Sequence, residues 1–327
     1  MSYKVSVIVP IYKVEKFIEH NVRSLMEQTL PEVEYIFVND ASTDKSFAIL
    51  KKVISEYTNR VRQIVFLEHK VNKGLPATRN TGLSVATGKY VFHCDSDDFV
   101  EPDMLEKLYQ RAEETDADIV WCDWYLSFEK NERYMKQPDY SSASEALKGM
   151  LAGTMKYNVW NKLIKRSLYT KNRILFPAGH GMGEDMTMIR LFACAEKVAY
   201  VPQAFYHYVK LNTQAYTNTF SERHLEDIRY NVDETIGFLC ERFGKGLNDY
   251  LSYFKLNVKY PFLISNEISM YRLWNDWYPE ANDVIGHNPY ISWRSKLLQY
   301  AAKYRIYGLL WLYYWTAHRL VYGVIYK

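Results

Sequence analysis

The stretch "YVFHCDSDDF", from Tyr90 to Phe99, joins a short apolar run to three aspartates in four positions. Its β-prone beginning predicts a buried strand, so Asp95, Asp97 and Asp98 would stand at the carboxyl end of that strand. Carboxylates this close repel one another. An acidic turn of this kind often caps the backbone N–H groups of the following helix. The rest of the sequence has to show whether these three residues do more than that.

The composition indicates an ordinary globular chain. It has 327 residues, of which 48% are hydrophobic and 24% charged, which is enough for one large domain or two. A formal net charge of +3 is too small to indicate a nucleic-acid partner. The sequence begins "MSYKVSVIVPIY", without a basic segment, a long apolar run and a small-residue cleavage site in succession, so we expect an unexported protein.

Four cysteines stand far apart in apolar surroundings, namely Cys94, Cys122, Cys194 and Cys240. They form no C-x-x-C pair, so we expect buried thiols rather than disulfides or a zinc site. Reduced thiols predict a cytoplasmic location.

Strand-like and helix-like segments alternate over the first part of the chain. The predicted strands are "VSVIVPIY", "EYIFVND", "RQIVFLEH", "KYVFHC" and "ADIVWCDWY", and a helical pattern follows each of the first four. This order predicts an α/β fold with a mainly parallel, Rossmann-like sheet and helices on both faces. In such sheets ligands bind outside the carboxyl ends of the strands, where Asp40 and Asp95 stand.

Two glycine-rich phosphate loops are excluded by the sequence. No G-x-G-x-x-G is present, and "GLSVATGKY" has one residue too many between its glycines and ends in Tyr rather than Ser or Thr. An anionic ligand at the strand ends would therefore be held through a cation bridged by carboxylates, as Mg²⁺ and Mn²⁺ are on diphosphates. The aspartate cluster fits that role.

Five segments in this order resemble the family 2 glycosyltransferases, which have the glycosyltransferase A fold: "VSVIVPIYKVEKFI", "IFVNDASTDKS", "NKGLPATRNTGL", "FHCDSDDF" and "GMGEDMTMIRLFACAEKVAYVPQAFYHY". The resemblance covers about Ser2 to Tyr208. It implies a metal-dependent, inverting transfer of a sugar from a nucleotide-sugar, with a UDP-sugar expected, to a hydroxyl of a glycan or lipid-linked glycan in polysaccharide biosynthesis. Residues 1–210 would form the nucleotide-sugar-binding catalytic domain, and residues 211–327 a helical, aromatic-rich and basic C-terminal region.

Asp95 and Asp97 match the D-x-D motif of the family. The resemblance implies that Asp97 ligates Mn²⁺ or Mg²⁺ directly and that Asp95 contacts the ribose or the water shell of the metal. A cation fixed against the diphosphate would stabilise the charge that develops as the glycosidic bond breaks. Asp98 matches a frequent additional aspartate of the family, but we prefer to predict that it caps the helix near Pro102. His207 is either a further metal ligand or a histidine without such a role.

Three residues match the nucleotide side of the family site, and two basic residues, Lys73 and Arg79, flank the loop that enters the third helix. Asp40 matches the position that binds the base, usually uracil, and its alternative role is to cap a helix. Pro10 and Tyr12 match the first loop, where Tyr12 would pack against the nucleoside or lie in the core. Lys73 and Arg79 would neutralise charge on the donor or form a solvated basic pair.

Glu184 and Asp185 follow the glycine-rich "GHGMG" and precede an apolar helix from Met186 to about Ala195. Acidic residues also suit the start of a helix, where each stabilises it by at most about 1 kcal/mol. The resemblance implies a catalytic base at this pair. We expect Asp185 to take the proton of the acceptor hydroxyl and Glu184 to orient the acceptor or the base.

The segment "NVWNKLIKRSLY" resembles one found before the acidic pair in bacterial members of the family. It suggests two residues on the acceptor side. Trp160 would stack on a sugar, and Lys162 would meet charge. A Trp in an apolar helix is also typical of a protein core.

Two other functions fit parts of the pattern. A non-catalytic scaffold that binds nucleotide-sugars would keep the fold, but it would not need both the D-x-D motif and the Glu184–Asp185 pair. A nucleotidyltransferase shares the alternating architecture and the acidic site. It usually has a glycine-rich and basic loop after the first strand, where this chain has "PIYKVEKF".

The C-terminal tail is rich in Tyr and Trp, and from Val284 onward its charged residues are all basic: Arg294, Lys296, Lys303, Arg305, Arg319 and Lys327. This mixture predicts peripheral contact with the cytoplasmic face of a membrane, where a lipid-linked acceptor would be presented. A spanning helix is disfavoured because inserting Arg319 would cost roughly 2.5 to 3.5 kcal/mol. At about 100° per residue, Arg294, Arg305 and Arg319 fall opposite Lys296 and Lys303. A break near Gly308, or an ordinary helical cap packed on the catalytic domain, is therefore the alternative.

Overall fold

The computed structural model describes residues 3–181, 183–210 and 222–319, without the side chains of Glu184, Asp185, Ala317 and His318. Within these residues the strands are β1 (Val5–Ile11), β2 (Val33–Asn39), β3 (Ile64–Glu68), β4 (Tyr90–His93), β5 (Phe99–Val100), β6 (Ile119–Ser127), β7 (Glu132–Met135), β8 (Lys162–Lys165) and β9 (Val198–Val209). The five strands predicted from the sequence correspond to β1, β2, β3, β4 and β6.

The α-helices of the described residues follow the predicted order. They are α1 (Ile18–Met26), α2 (Ser46–Ile54), α3 (Leu75–Val85), α4 (Met104–Thr115), α5 (Ala143–Leu151), α6 (Arg166–Asn172), α7 (Glu184–Cys194), α8 (Glu222–Phe243), α9 (Asn248–Lys259), α10 (Ile268–Asp276), α11 (Trp293–Lys303) and α12 (Tyr307–Tyr313). The four predicted helices after the first four strands are α1 to α4.

The strands form one mixed sheet in the order β3-β2-β1-β4-β8-β6-β9-β5, with β7 paired to β6. β1 is parallel to both β2 and β4, and β2 is parallel to β3. All seven residues of β1 and all seven of β2 are buried. Because successive side chains of a strand point to opposite faces, both faces of this part of the sheet are covered, as the α/β prediction requires.

The other half of the sheet is largely antiparallel. β8 lies between β4 and β6 and is antiparallel to both, and β6 is antiparallel to β7 but parallel to β9. The predicted α/β class is confirmed, while the parallel pairing is confined to β3-β2-β1-β4 and to β6-β9. β8 was not predicted from the sequence. It has only four residues, which is too few to show a clear alternation of apolar and polar side chains, and it lies in a segment with an apolar helical pattern.

The carboxyl ends of the parallel strands meet at one edge of the sheet. The last pair of β1 and β2 is Ile11 with Asn39, and β4 pairs with β1 as far as His93. The residues that follow β1, β2 and β4 therefore emerge at the same edge. Pro10, which has no N–H to donate, lies beyond the part of β1 that pairs with β4.

Two glycines allow α3 and the turn after it to approach β1 closely. A Cβ at Gly82 would lie 2.5 Å from Ile8 Cγ2, and one at Gly88 would lie 2.6 Å from the backbone nitrogen of Ser6. Side chains at these positions would push α3 away from the sheet. Arg79 lies about one turn before Gly82 and depends on the same close packing to reach the end of β4.

The chain forms two compact units. The first comprises Met1–Leu147 and Tyr157–Phe238, and the second comprises Lys148–Lys156 and Leu239–Lys327. The described part of the second unit is helical. Inside it, the buried ammonium of Lys259 donates to the carbonyl oxygen of Trp277, at 2.7 Å, and holds α9 to the segment after α10.

No helix in the described ranges is both long enough and apolar enough to cross a bilayer. The four cysteines are free thiols, and Cys94, Cys122 and Cys194 are buried as expected. The expectation is wrong for Cys240, which is exposed on α8. Its neighbour Leu239 takes the buried position on that helix, so the next residue turns to solvent.

Candidate active site

The acidic loop after β4 is held from α1 by one buried amide. Asn21 Nδ2 donates to the carbonyl oxygens of Asp95 and Asp98, both at 2.9 Å. The N–H of Asp98 also donates to the carbonyl oxygen of Asp95 at 3.2 Å, which closes a turn. Asn21 is fully buried. One side chain thus fixes both ends of the turn, while Asp97 between them is partly exposed.

β9 holds the same loop through its hydroxyl and amide groups. Asp98 Oδ1 accepts a hydrogen bond from the N–H of Val209, and Asp98 Oδ2 accepts one from the hydroxyl of Tyr206, both at 2.7 Å. The Tyr206 hydroxyl also accepts a hydrogen bond from the N–H of Asp95 at 3.1 Å. The predicted helix cap at Asp98 is therefore wrong. Its carboxylate is committed to β9, and the described structure shows no side-chain cap at the start of α4.

Arg79 pairs with the carboxylate of Asp95. Its Nη2 lies 2.6 Å from Asp95 Oδ1, and its side chain is 1% exposed, so the prediction of a solvated basic pair is wrong for Arg79. A fixed guanidinium beside a carboxylate forms a strong charge-assisted contact. Burial, with the charges of Asp97 and Asp95 added to it, raises the pKa of Asp98 well above its ordinary value.

A cavity of about 210 Å³ lies against Asp97. Aromatic rings and charged groups line it together, among them Lys16, Phe17, His20, Phe99, Phe128 and Glu132. Aromatic rings offer flat apolar faces, and the charged groups offer hydrogen-bond partners. The cavity could therefore hold a polar ring next to the carboxylate.

Asp40 follows β2, as predicted, and its carboxylate organises the loop between β3 and α3. Its Oδ1 lies 2.7 Å from His69 Nδ1 and accepts a hydrogen bond from the N–H of Lys73 at 2.8 Å. Its Oδ2 accepts one from the N–H of Gly74 at 2.9 Å. The Asp40 side chain is 4% exposed, whereas Lys73 is exposed.

The structure decides between the two predicted roles of Asp40 and between the two predicted roles of Tyr12. The N–H of Ser46, at the start of α2, donates a hydrogen bond to Asp44 Oδ1. Asp44, and not Asp40, therefore binds the first N–H group of this helix, and the predicted alternative that Asp40 caps it is wrong. Tyr12 is 42% exposed and therefore is not a core residue. Pro10 is buried in β1 beneath this loop.

The glycine loop before α7 is tied to α8. Asp227 Oδ2 accepts a hydrogen bond from the N–H of Gly181 at 3.0 Å, and Asp227 Oδ1 lies 3.1 Å from His180 Nδ1. Asn231 Nδ2 donates to the carbonyl oxygen of Gly181 at 2.8 Å. A Cβ at Gly183 would lie 2.6 Å from Asn231 Oδ1, so this position requires a glycine. Two hydrogen bonds from α8 side chains thus fix the backbone of Gly181 that leads into α7, and a third contact holds the side chain of His180.

Glu184 and Asp185 form the first turn of α7, close to where the sequence predicts a helix start. Their side chains lie outside the described residues, so their predicted catalytic roles remain predictions. The described structure shows only the backbone at this pair: the two residues begin α7, and the fixed glycine loop directly precedes them.

The ring of His207 lies between two carboxylates. Its Nδ1 lies 2.7 Å from Glu132 Oε1 and its Nε2 lies 3.0 Å from Glu101 Oε1, so both ring nitrogens already have carboxylate partners. Its ring stacks on Phe99 at 4.1 Å. The predicted alternative of a further metal ligand stays a prediction. In the described ranges no group of three or more His, Cys, Asp or Glu side chains forms a complete metal site by itself.

The two acceptor-side predictions are also wrong. Trp160 is 7% exposed and stacks on Tyr206 with 4.4 Å between the ring centroids, so it supports β9 from the core. Lys162 is fully buried in β8, where its Nζ donates to the carbonyl oxygen of Asn158 at 2.6 Å and to Asn161 Oδ1 at 2.9 Å. Neither side chain faces a site from which it could contact an acceptor.

Four residues that fix the two loops were missed by the sequence reasoning: Asn21, Tyr206, Asp227 and Asn231. Each contacts a residue at least 46 positions away in the chain. A polar residue on the apolar side of a helix, as Asn21 is beside Val22 and Leu25 on α1, was the one available signal.

Comparison with known proteins gives consistent results. The model of the family "Glycosyl transferase family 2" matches residues 6–188. Glycosyltransferase GlyG of Streptococcus pneumoniae is 34% identical over 221 residues, which are 64% of this chain and 71% of the relative. The cholesterol galactosyltransferase of Borreliella burgdorferi is 31% identical over 293 residues, which are 82% of this chain and 78% of the relative.

Solved structures share the fold. S. aureus TarS 1–349 in complex with UDP-GlcNAc superposes with a TM-score of 0.69 at 20% identity, covering 96% of this chain and 92% of that one. The mannosyltransferase PcManGT of Pyrobaculum calidifontis, in complex with GDP-Man and Mn²⁺, reaches 0.51 at 16% identity, covering 93% and 87%. The predicted glycosyltransferase A fold is confirmed. Because the family model spans more than half of the chain and both relatives exceed 30% identity over more than two thirds of their own length, the chain belongs to glycosyl transferase family 2 and is a glycosyltransferase.

Proposed function

We propose that this glycosyltransferase moves a sugar from a nucleotide-sugar, specifically a UDP-sugar, to a hydroxyl of a glycan or lipid-linked glycan in polysaccharide biosynthesis, with inversion and with a divalent cation. One observation carries the proposal. The acidic loop is fixed at the carboxyl edge of the parallel strands: α1 holds its backbone, α3 holds the carboxylate of Asp95, and β9 holds the carboxylate of Asp98. The complexes of TarS with UDP-GlcNAc and of PcManGT with GDP-Man and Mn²⁺ support a nucleotide-sugar donor and a divalent cation.

The acidic loop fits Mn²⁺ or Mg²⁺. Arg79 balances Asp95, and the raised pKa of Asp98 reflects burial together with the charges of Asp95 and Asp97. A cation beside Asp97 would reduce this repulsion. Such ions are commonly bound by one or two carboxylates together with the oxygens of substrate phosphates, which explains why the chain alone need not form a complete site. The bound cation would stabilise the charge that develops on the diphosphate leaving group.

We assign direct ligation of the cation to Asp97, and a contact with the ribose or with the water shell of the cation to Asp95. The ion pair with Arg79 at 2.6 Å holds one oxygen of Asp95 and leaves the other for that contact. Arg79 therefore acts on the donor through Asp95 instead of touching the phosphates itself. We assign the transferred sugar or the acceptor to the cavity against Asp97.

We assign the nucleotide to the edge formed by the first loop and the loop after β3. Tyr12 is exposed enough to lie against a nucleoside. Asp40 Oδ2 has accepted one hydrogen bond, from Gly74, and can accept another from an N–H of uracil. Lys73 is exposed next to Asp40 and can approach charge on the donor.

We assign the catalytic base to Asp185. Transfer by single displacement requires a carboxylate that takes the proton of the acceptor hydroxyl on the face of the sugar opposite the nucleotide, and aspartates are ionised at neutral pH. Glu184 would orient the acceptor or the base. The contacts of Asp227 and Asn231 with the glycine loop support this assignment because they fix the backbone that presents the pair.

We place the reaction at the cytoplasmic face of a membrane. One relative, the cholesterol galactosyltransferase of Borreliella burgdorferi, is named for an acceptor that is a membrane lipid. Three buried free thiols favour a reducing compartment. An acceptor attached to a lipid would also explain the basic, aromatic C-terminal segment.

The base assignment is tested with Asp185→Asn. The variant should bind UDP as the wild type does and lose transfer by roughly 10²-fold or more, because general base catalysis typically contributes that much. Transfer is measured with a panel of radiolabelled UDP-sugars and Mn²⁺, and the anomeric configuration of the product is read by NMR. Transfer at the wild-type rate, or retention of the donor configuration, would contradict the assignment.

The same panel separates the alternatives. Slow release of sugar from one UDP-sugar identifies a transferase and its donor. Formation or cleavage of pyrophosphate would identify a nucleotidyltransferase, and binding without turnover of any donor would identify a scaffold. A thermal-shift series of nucleotide-sugars with and without Mn²⁺ reports binding independently, because a ligand that binds the native state alone raises the melting temperature.

A further inference from the structure

Helix α11 carries apolar side chains on a face that the described structure leaves uncovered. Trp293 is 70% exposed, Leu297 is 49% exposed and Tyr304, directly after the helix, is 66% exposed. At about 100° per residue, positions 297 and 304 fall within about 40° of Trp293, so these side chains form one stripe. The buried residues Leu298 and Ala302 lie on other sides of the helix. Helix α11 is therefore apolar both toward its own unit and toward solvent.

The next helix also exposes apolar side chains. Arg305 adopts a left-handed conformation, with φ of 59°, and turns the chain between α11 and α12. After this turn Ile306, Trp311 and Leu312 are 49% to 55% exposed. Exposed apolar residues scattered singly are normal, but a series of them on two consecutive helices indicates an interaction site. We call the surface of Trp293, Leu297, Tyr304, Ile306, Trp311 and Leu312 the α11–α12 face.

The charged residues of the segment that carries this face are all basic, although Lys303 on α11 pairs with Asp283 just before the segment, at 3.0 Å. Residues 284–319 contain five Lys and Arg and no Asp or Glu. On α11, Arg294 lies about 100° to one side of Trp293 and Lys296 about 60° to the other. From the sequence, Arg294 and Lys296 were expected on opposite sides of the helix, and this expectation counted against a simple amphipathic helix. In the structure the exposed stripe runs between them, so both cations border it.

Three arginines remain at or beside the surface. Lys296 donates to the carbonyl oxygen of Gly286, and so belongs partly to the fold of the unit. The guanidinium of Arg294 lies 5.5 Å from the ring centroid of the exposed Trp293, and Arg319 lies 4.4 Å from that of Trp315. Arg305 is exposed at the turn. Arginine next to exposed tryptophan is the pairing found at membrane interfaces, where the rings enter the headgroup region and the cations contact phosphate.

We propose that the α11–α12 face docks onto an anionic phospholipid bilayer. The positive charge favours this partner over a second copy of the chain, because two copies joined face to face would bring arginines together without an acidic residue in the segment to pair them. The apolar side chains enter the interface, and the arginines bind lipid phosphates. The proposal rests on the proposed function only in its purpose, which is to bring the enzyme to a lipid-linked acceptor.

The test uses the full chain and two kinds of vesicle, one of phosphatidylcholine and one containing phosphatidylglycerol in addition. We expect flotation with the anionic vesicles at low salt, weaker binding at high salt, and little binding to the neutral vesicles. Trp293→Ser combined with Leu297→Ser and Trp311→Ser should reduce the bound fraction at least tenfold. Arg294→Gln combined with Arg305→Gln should reduce it several-fold and weaken its dependence on salt.

Leu175→Ser combined with Val61→Ser is the matched control, because these two apolar residues are equally exposed in the first unit. The control should bind vesicles as the wild type does. All variants should melt like the wild type and keep their transfer rate on a water-soluble acceptor, so a failure of docking is distinguishable from a failure of the proposed function. Absence of flotation at low salt, equal flotation with both vesicles, or a stable dimer that the triple variant abolishes would overturn the proposal.

Discussion

The hydroxyl of Tyr206 joins two parts of the acidic loop, since it accepts a hydrogen bond from the N–H of Asp95 and donates one to the carboxylate of Asp98. Tyr206→Phe removes both hydrogen bonds and keeps the ring that stacks on Trp160. Leaving these groups unpaired should lower the free energy of unfolding by about 1–3 kcal/mol. Because the loop loses one of its supports, we also expect the Mn²⁺ concentration for half-maximal transfer to rise.

Tyr200→Phe provides the control at the same scale. The hydroxyl of Tyr200 donates to the buried carboxylate of Asp123 at 2.7 Å, so its loss should lower stability by a comparable amount. It should leave the Mn²⁺ requirement unchanged. The role of Tyr206 in positioning the loop would be refuted if both variants showed the wild-type Mn²⁺ requirement.

The sequence could predict the location of a residue in the fold when that residue directly follows a predicted strand. Asp40, Asp95 and Asp97 follow parallel strands, and the carboxyl ends of such strands share an edge. Tyr206 was not predictable, because its contact with Asp95 joins residues 111 positions apart. Trp160 was misassigned because the residue type shows what a side chain can contact, whereas burial decides which contact it makes.

At the scale of secondary-structure elements, the glycine loop before α7 depends on close packing. A Cβ at Gly183 would lie 2.1 Å from Pro177 Cγ and 2.6 Å from Asn231 Oδ1, so Gly183→Ala must displace the loop or α8. A displacement of about 1 Å in an active site can cost as much as 10²-fold in rate. We expect transfer to fall at least tenfold while the affinity for UDP stays within a factor of two of the wild type.

Gly237→Ala is the control for this substitution. Gly237 lies within α8, and a Cβ there would meet no described heavy atom within 4 Å. Replacing a helical glycine by alanine should stabilise the protein by about 0.5–1 kcal/mol and leave transfer unchanged. Wild-type transfer by Gly183→Ala would show that the loop does not position the catalytic pair.

The sequence predicted those strands whose apolar pattern is continuous and missed one whose pattern is interrupted. The buried runs of β1, β2 and β4 are continuous, and the sequence located all three. β9 was not among the predicted strands, because Pro202 and Gln203 interrupt its pattern where the pairing with β6 changes register after Cys122. Because β9 was not predicted, the sequence did not show that this strand binds the carboxylate of Asp98. Asp98 was therefore wrongly predicted to cap a helix.

At the scale of the whole molecule, the two units have different surfaces and, in our proposals, different partners. The first unit contains the acidic loop and the nucleotide edge, and the second contains the α11–α12 face. The net charge of +3 gives no indication of this division, since the five cations of residues 284–319 are balanced by acids elsewhere in the chain. Overall charge gave no indication of a nucleic-acid partner and could not locate the proposed membrane-binding surface, which needed the exposures of individual side chains.

The most direct test of the central claim is titration calorimetry of UDP with Mn²⁺ and with EDTA, on the wild type, Asp97→Asn and Asp103→Asn. Asp103 is a suitable control because it lies just before α4, where the described structure shows no hydrogen bond from its side chain to the helix. We predict that the wild type and Asp103→Asn bind UDP at least tenfold more tightly with Mn²⁺ than with EDTA, and that Asp97→Asn loses this difference. Equal affinity in all three proteins, whether Mn²⁺ or EDTA is present, would contradict a metal-dependent donor site at the acidic loop.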